Sequence, residues 1–158
     1  MSELTQEELE RISAGFVFAM NAHKGSFRTN GVPYVSHPIR VALHALSLGM
    51  NSNATIAAVL HDVVEDTDTS LSDISSAFGL EVAEIVKALT KPKRGTSNRN
   101  QIYQAQLLSG PEDARRIKLL DIQDNLSDVD EFLGAEAALE YRNSREALAE
   151  VLRESLSK

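Results

Sequence analysis

The sequence predicts an all-α fold in one domain spanning residues 1–158, and three observations carry that expectation. Apolar residues recur at spacings of three and four through most of the chain. Alternation of the strand type never lasts beyond a few residues, and good caps precede the apolar stretches while glycines close them. At 158 residues the chain is long enough to bury a core without staples, and it carries no internal repeat or low-complexity tail.

Thr5 with Glu8 forms a capping box, after which Leu9, Ile12, Phe16, Met20 and His23 follow one helical face. The loop KGSFRTNGVPYV leads to Ser36, His37 and Pro38, a helix start with proline in its first turn, and Gly49 ends that helix. Asn53 is the expected cap of a helix carrying residues 57–68, AAVLHDVVEDTD. Ser70 with Asp73 starts a short helix through Leu71, Ile74 and Phe78 to Gly79, and Val82, Ile85, Val86 and Leu89 mark another. Beyond the basic loop KPKRGTSNR, helices are expected near 99–109, near 111–129, and around Leu139, Leu148, Val151, Leu152 and Leu156.

The composition, 42% hydrophobic and 25% charged, is that of a globular protein. No cysteine is present, which excludes a disulfide framework and thiolate metal sites and suits a cytoplasmic location. No apolar run approaches the ~18 residues of a membrane span, and the N-terminal MSELTQEELE lacks the basic and apolar regions of a signal peptide. A net charge of −7 argues against DNA or RNA as partner, whereas a small anionic ligand needs only a local group of cations. Nothing in the pattern requires or forbids a homo-oligomer.

Residues 57–68 pose the functional question. Ala57, Ala58, Val59, Leu60, Val63 and Val64 belong in a core, yet His61, Asp62, Glu65 and Asp66 place an imidazole and three carboxylates among them. On a helical wheel with His61 at zero, Glu65 falls at about 40°, Asp62 at about 100° and Asp66 at about 140°, opposite the valines and Leu60. Such acids repel one another unless solvent or a cation relieves them, so the face fits either a solvated surface or a metal site. Two further stretches bear on the choice. PYVSHP, residues 33–38, puts His37 at a helix start, and IKLLDIQDN, residues 117–125, puts Lys118, Asp121 and Asn125 on one face.

Taken in chain order, AHKGSFRTNGVPYVSHP, LHDVVEDT, LTK and IKLLDIQDN resemble the motifs of HD-domain phosphohydrolases. Within that group the likeness is to the hydrolase domain of RelA/SpoT homologues and to the stand-alone small alarmone hydrolases. The resemblance implies a helical HD-domain fold with His37, His61, Asp62 and Asp121 as metal ligands and Glu65 with Asp66 as the pair that positions water and moves protons. It implies hydrolysis of the 3′-pyrophosphate of guanosine tetra- or pentaphosphate, with manganese as the usual divalent cofactor. The missing synthetase domain implies a stand-alone hydrolase. Two imidazoles and two carboxylates suit manganese, iron, zinc or cobalt better than magnesium or calcium.

Between Glu84 and Glu112 there is no acid, while Lys87, Lys91, Lys93, Arg94 and Arg99 fall inside the window. This local positive region fits phosphate binding or a solvated loop, and Lys91 is taken as a substrate-binding residue. By the resemblance, Arg28 packs against guanine and Asn125 contacts the nucleoside; Lys118 meets phosphate or pairs with an acid. Thr29 and Asn30 stand where the family often has a basic residue and a serine, and Ile122 where many members have a basic residue. Those departures keep two other readings open: a phosphohydrolase of another phosphorylated nucleotide, or a catalytically weak alarmone-binding module. His23 is expected in the core or behind the ligands, His44 in a structural role, and Tyr103 and Tyr141 in packing.

Overall fold

The computed structural model describes residues 4–129 and 133–158. The chain runs through α1 (Gln6–Ala22), α2 (Ser36–Ser47), α3 (Ser52–Leu60), α4 (Val63–Asp66) and α5 (Leu71–Phe78). It continues through α6 (Leu80–Leu89), α7 (Arg99–Ser109), α8 (Glu112–Ser127) and α9 (Ala135–Leu156). Among the described residues no strand forms, and a lone antiparallel bridge between Phe27 and Pro33 closes the loop before α2. No described helix is long and apolar enough to cross a membrane.

Helix α1 starts at the expected capping box: the Glu8 amide donates to Thr5 Oγ1 and the Thr5 amide donates to Glu8 Oε2. Its inner face is Ile12, Gly15 and Ala19, while Leu9 and Met20 are 45% and 46% exposed. A Cβ added at Gly15 would lie 3.3 Å from Ile56 Cγ2, so the missing side chain lets α1 approach α3 closely.

Helix α3 is the centre of the molecule, with α1, α2, α6 and α8 packed around it. Two expectations for it are overturned. The cap is Asn51, whose Oδ1 accepts from the Ala54 amide at 2.8 Å. Asn53 instead accepts from Arg11 and donates to Glu81. Nor does one helix carry residues 57–68: α3 ends at Leu60, and a turn at His61 and Asp62 separates it from α4, which begins at Val63. The two-faced wheel fails because residues Ala54 through Leu60 are all buried, so α3 has no solvent face. Each large apolar side chain so buried contributes about 1.5–3 kcal/mol, and that burial offsets the several kcal/mol per ion that the neighbouring ionisable groups cost.

Candidate active site

His37 enters from the first turn of α2, His61 from the turn that ends α3, and Asp121 from the middle of α8. All three are buried, at 2%, 3% and 4% exposure. One donor atom from each lies within 4.8 Å of the others. His37 Nε2 is 3.0 Å from Asp121 Oδ1 and 3.8 Å from Asp62 Oδ2. His61 Nε2 is 3.2 Å from Asp62 Oδ2 and 3.5 Å from Asp121 Oδ1. Donors bound about 2.1 Å from an ion sit about 3–4 Å from one another, so the spacing suits a divalent cation.

The rings are turned for that purpose. His61 Nδ1 lies 2.7 Å from the Ala58 carbonyl, which can only accept, so this nitrogen carries the proton and Nε2 points inward. That Nε2 is buried and makes no aligned hydrogen bond, an orphaned polar atom of the kind a metal ion satisfies. Without an ion the cluster balances its own charge. Burial disfavours imidazolium at His61, but the Asp62 and Asp121 carboxylates outweigh it and hold the imidazole well above its usual pKa. At Asp121, burial is outweighed by Lys118 and the two histidines, which hold the carboxyl well below its usual range.

The other ligand-face residues fall into two groups. Tyr34 donates through its hydroxyl to Asp62 Oδ2 at 2.7 Å and lies 2.9 Å from Asp66 Oδ2. A hydroxyl has one hydrogen, so Tyr34 donates to one of the two carboxylates at a time. Burial and the Asp62 charge raise the Asp66 pKa, against the Tyr34 hydrogen bond, which lowers it. Glu65 turns the other way. Its Oε1 lies 3.5 Å from Lys91 Nζ and 3.4 Å from Arg99 Nη2, and its Oε2 accepts from the Lys91 amide at 3.3 Å.

Lys118 is buried and donates to Asp121 Oδ2 at 2.6 Å, with its ammonium 5.4 Å from the Tyr103 ring centre. Of its two sequence readings, the geometry displays the pairing with an acid. Asn125 donates to Asp121 Oδ1 at 2.7 Å and accepts from Arg28 Nη2 at 3.2 Å, which ties the loop arginine to the ligand helix. These residues face a cavity of about 430 Å³ in which Arg28, Thr29 and Ile122 stand near Asn125, with Lys91 and Lys118 also on the wall. Of the basic window, Lys91 reaches this cavity, Arg94 lines the neighbouring one of about 460 Å³, and Lys93 is exposed.

His23 is a core residue, buried 4.9 Å from the Tyr34 ring, and burial lowers its pKa. Tyr103 is a packing residue, buried with its hydroxyl on the Leu89 carbonyl. Tyr141 is not: it lines the cavity beside Arg145, whose guanidinium lies 4.8 Å over its ring. Tyr34, Asp124 and Arg40 received no role from the sequence, and Arg99 received only a place in the basic window. Spacing carried a signal for two of them, because Arg40 follows His37 by three residues and Asp124 follows Asp121 by three.

Against known proteins, the family model described as an HD domain matches residues 15–125. The chain is 38% identical over 125 residues to the guanosine-3′,5′-bis(diphosphate) 3′-pyrophosphohydrolase of Aquifex aeolicus, covering 78% of this chain and 18% of that protein. It is 35% identical over 88 residues to the bifunctional (p)ppGpp synthase/hydrolase SpoT of Escherichia coli, covering 56% of this chain and 12% of that one. The chain thus spans less than a fifth of the length of these curated relatives. Among solved structures it is similar to a metazoan ortholog of SpoT that hydrolyses ppGpp and plays a role in starvation responses. That likeness has a TM-score of 0.75 and 27% identity, and covers 99% of this chain and 88% of that one.

Proposed function

The chain belongs to the HD-domain family, and from that premise we propose that it is a manganese-dependent hydrolase of guanosine tetra- and pentaphosphate. It releases pyrophosphate with GDP or GTP, as one HD-type hydrolase domain acting in the cytoplasm on a small nucleotide rather than on DNA or RNA. The observation that carries this reading is the convergence of buried imidazole nitrogens of His37 and His61 with an Asp121 oxygen at a cavity that His37 and Asp121 line together with Arg28, Lys91 and Lys118. The names of its relatives support the substrate.

In this reading His37, His61, Asp62 and Asp121 hold the ion. When bound, it supplies Lewis acidity, making water a better nucleophile near neutral pH and offsetting charge on the phosphoryl oxygens. Hydrolysis breaks the bond between the ribose 3′ oxygen and phosphorus, joins the water oxygen to that phosphorus, and returns a proton to the 3′ oxygen. Glu65 orients the water, and Asp66, whose pKa burial and the Asp62 charge raise, shares or relays its proton. Tyr34 fixes Asp66 relative to Asp62. Lys91 faces the polyanion, Lys118 adds its charge from the cavity wall while paired with Asp121, Arg28 stacks on the base, and Asn125 positions the nucleoside.

A second reading has its own observation. Thr29 and Ile122 line the cavity near Arg28, so the wall there carries fewer cations than the resemblance leads one to expect. That wall suits a phosphohydrolase of another nucleotide. Purified protein loaded with manganese, then with other divalent ions, should be set against guanosine and adenosine tetraphosphates, pyrophosphates and monophosphates, with both products measured. Pyrophosphate appearing with GDP or GTP is the expected result. Turnover of a different nucleotide alone overturns the guanosine assignment, and tight binding without turnover under any ion replaces the enzyme with a binding module.

A further inference from the structure

The two histidines of the site are held from behind by different groups. Behind His61 stands the Ala58 carbonyl, a neutral acceptor fixed by the backbone of α3. Behind His37 stands a carboxylate: Asp124 Oδ2 lies 2.6 Å from His37 Nδ1. Asp124 is itself gripped on both oxygens, because Arg40 donates from Nε to Oδ1 at 2.7 Å and from Nη2 to Oδ2 at 2.8 Å. This two-pronged grip fixes the plane of the carboxylate as well as its position.

The spacing explains how the arrangement arises. Arg40 follows His37 by one turn on α2, and Asp124 follows Asp121 by one turn on α8. Two rungs therefore cross the same helix pair, His37 to Asp121 at 3.0 Å and Arg40 to Asp124 at 2.7 Å. The inner rung is buried, whereas the Arg40 side chain is 43% exposed. His37 stands between two carboxylates, Asp121 Oδ1 at 3.0 Å from Nε2 and Asp124 Oδ2 at 2.6 Å from Nδ1, and the shorter, Arg40-clamped contact favours the proton of a neutral His37 on Nδ1, leaving the Nε2 lone pair toward the pocket. A neutral imidazole without such a partner also populates the Nε2–H tautomer, which cannot bind an ion.

We propose that Asp124, clamped by Arg40, is a positioning residue that fixes the tautomer and ring orientation of His37 and thereby sets the metal affinity of the site. The inference rests on the metal site described under Proposed function. Partners of this kind, one bond removed from the ion, typically change metal affinity by about 10- to 100-fold when lost.

The test measures the manganese Kd of the purified chain by competition with a chelator, and reads the His37 ring by nitrogen-15 NMR in the metal-free protein with both rings neutral. Asp124→Ala should weaken manganese binding by about 10- to 100-fold and remove the Nδ1–H signature of His37 while leaving that of His61 unchanged. Asp124→Asn keeps an acceptor oxygen and should recover much of both. Arg40→Gln, at a half-exposed position that tolerates change, should give a smaller loss in the same direction and keeps the test available if the alanine variant does not fold. Parent-like affinity in Asp124→Ala, or in Arg40→Gln if the first is unfolded, overturns this inference alone. A parent chain that binds no divalent ion overturns the metal reading and this inference with it.

Discussion

The floor of the cavity and its basic rim are built in opposite ways. On the floor, His37, His61 and Asp121 are buried and each is held from behind, by Asp124, by the Ala58 carbonyl and by Lys118. On the rim, Lys93 and Arg94 are exposed on the loop between α6 and α7, and Lys91 and Arg99 turn inward to Glu65. The floor geometry is set before any ligand arrives, so a change there should abolish a function. The rim acts partly through solvent, where attraction is weaker and screened by salt, so a change there should grade a function.

The largest expected effect is at the floor. Asp121→Asn should leave the purified protein without metal and lower turnover by about 10³-fold or more, the scale of several kcal/mol of charge stabilisation. It should also lower stability by up to about 3–5 kcal/mol, because Lys118, 5% exposed, loses the charge that pays for its burial. Chelation of the parent protein should reproduce the loss of turnover, and manganese should restore it. An Asp121→Asn protein that retains metal and parent-like turnover erases the distinction between floor and rim.

Glu65 sits on the border of the two regions, four residues beyond His61 and in contact with Lys91 and Arg99. Glu65→Gln keeps the shape, so metal content should stay at the parent level while kcat falls by roughly 10²-fold. Asp66→Asn should lower kcat less and leave the Kd for metal unchanged. Single-turnover rates at saturating substrate check both variants. Parent-like rates in both would remove the catalytic assignment and make the acids a feature of the rim.

The same contrast explains what the sequence disclosed. Residues of the floor were legible because histidine and aspartate inside apolar runs need a reason to be there, as at His61, Asp62 and Asp121. Their geometry was not. A wheel drawn through residues 57–68 assumes one helix with a solvent side, whereas α3 is buried all round and breaks at His61 and Asp62. Asp124 and Arg40 carried only the faint signal of their spacing from His37 and Asp121, because on a helix surface an acid and an arginine look like solvated charges until two helices bring them together. The rim was legible as a charge window only, since a loop sequence does not say that Lys91 turns inward and Lys93 outward.

That division predicts unequal effects within the window. Lys91→Glu should raise KM for a polyphosphorylated substrate by about tenfold at low salt, because the charge lines the cavity beside Glu65. Arg94→Glu should raise it less, and Lys93→Glu least, with all three penalties shrinking at high salt. Equal KM values across the three variants would mean that position on the loop does not matter. No change in any of them at low salt would mean that the window is solvated only.

The smallest expected effect is a shift of a few degrees in the melting temperature of the metal-free chain, and it separates the regions by sign. At His37 and His61 burial disfavours the charged ring, but the Asp121, Asp124 and Asp62 carboxylates outweigh it and raise both pKa values. A histidine raised in the folded state adds stability that is fully present below its unfolded pKa of about 6.5 and is lost as pH rises through the folded value. The carboxylates work in the other direction. The hydrogen bonds from His37 and Arg40 overcome burial and hold Asp124 down to about 2, so its contribution is present above its ordinary pKa and is lost as pH falls toward that value. The metal-free melting temperature should therefore decline on the alkaline side of about pH 6.5 and again on the acid side of about pH 4. Manganese should cancel the alkaline decline, because neutral imidazoles are what the ion binds and its charge replaces theirs beside the carboxylates. His61→Gln should flatten the alkaline limb of the metal-free profile, whereas Lys93→Glu should leave its slope unchanged. An alkaline limb that is already flat in the metal-free parent, or one that Lys93→Glu alters as much as His61→Gln does, would show that the buried cluster does not balance its charge through the histidines.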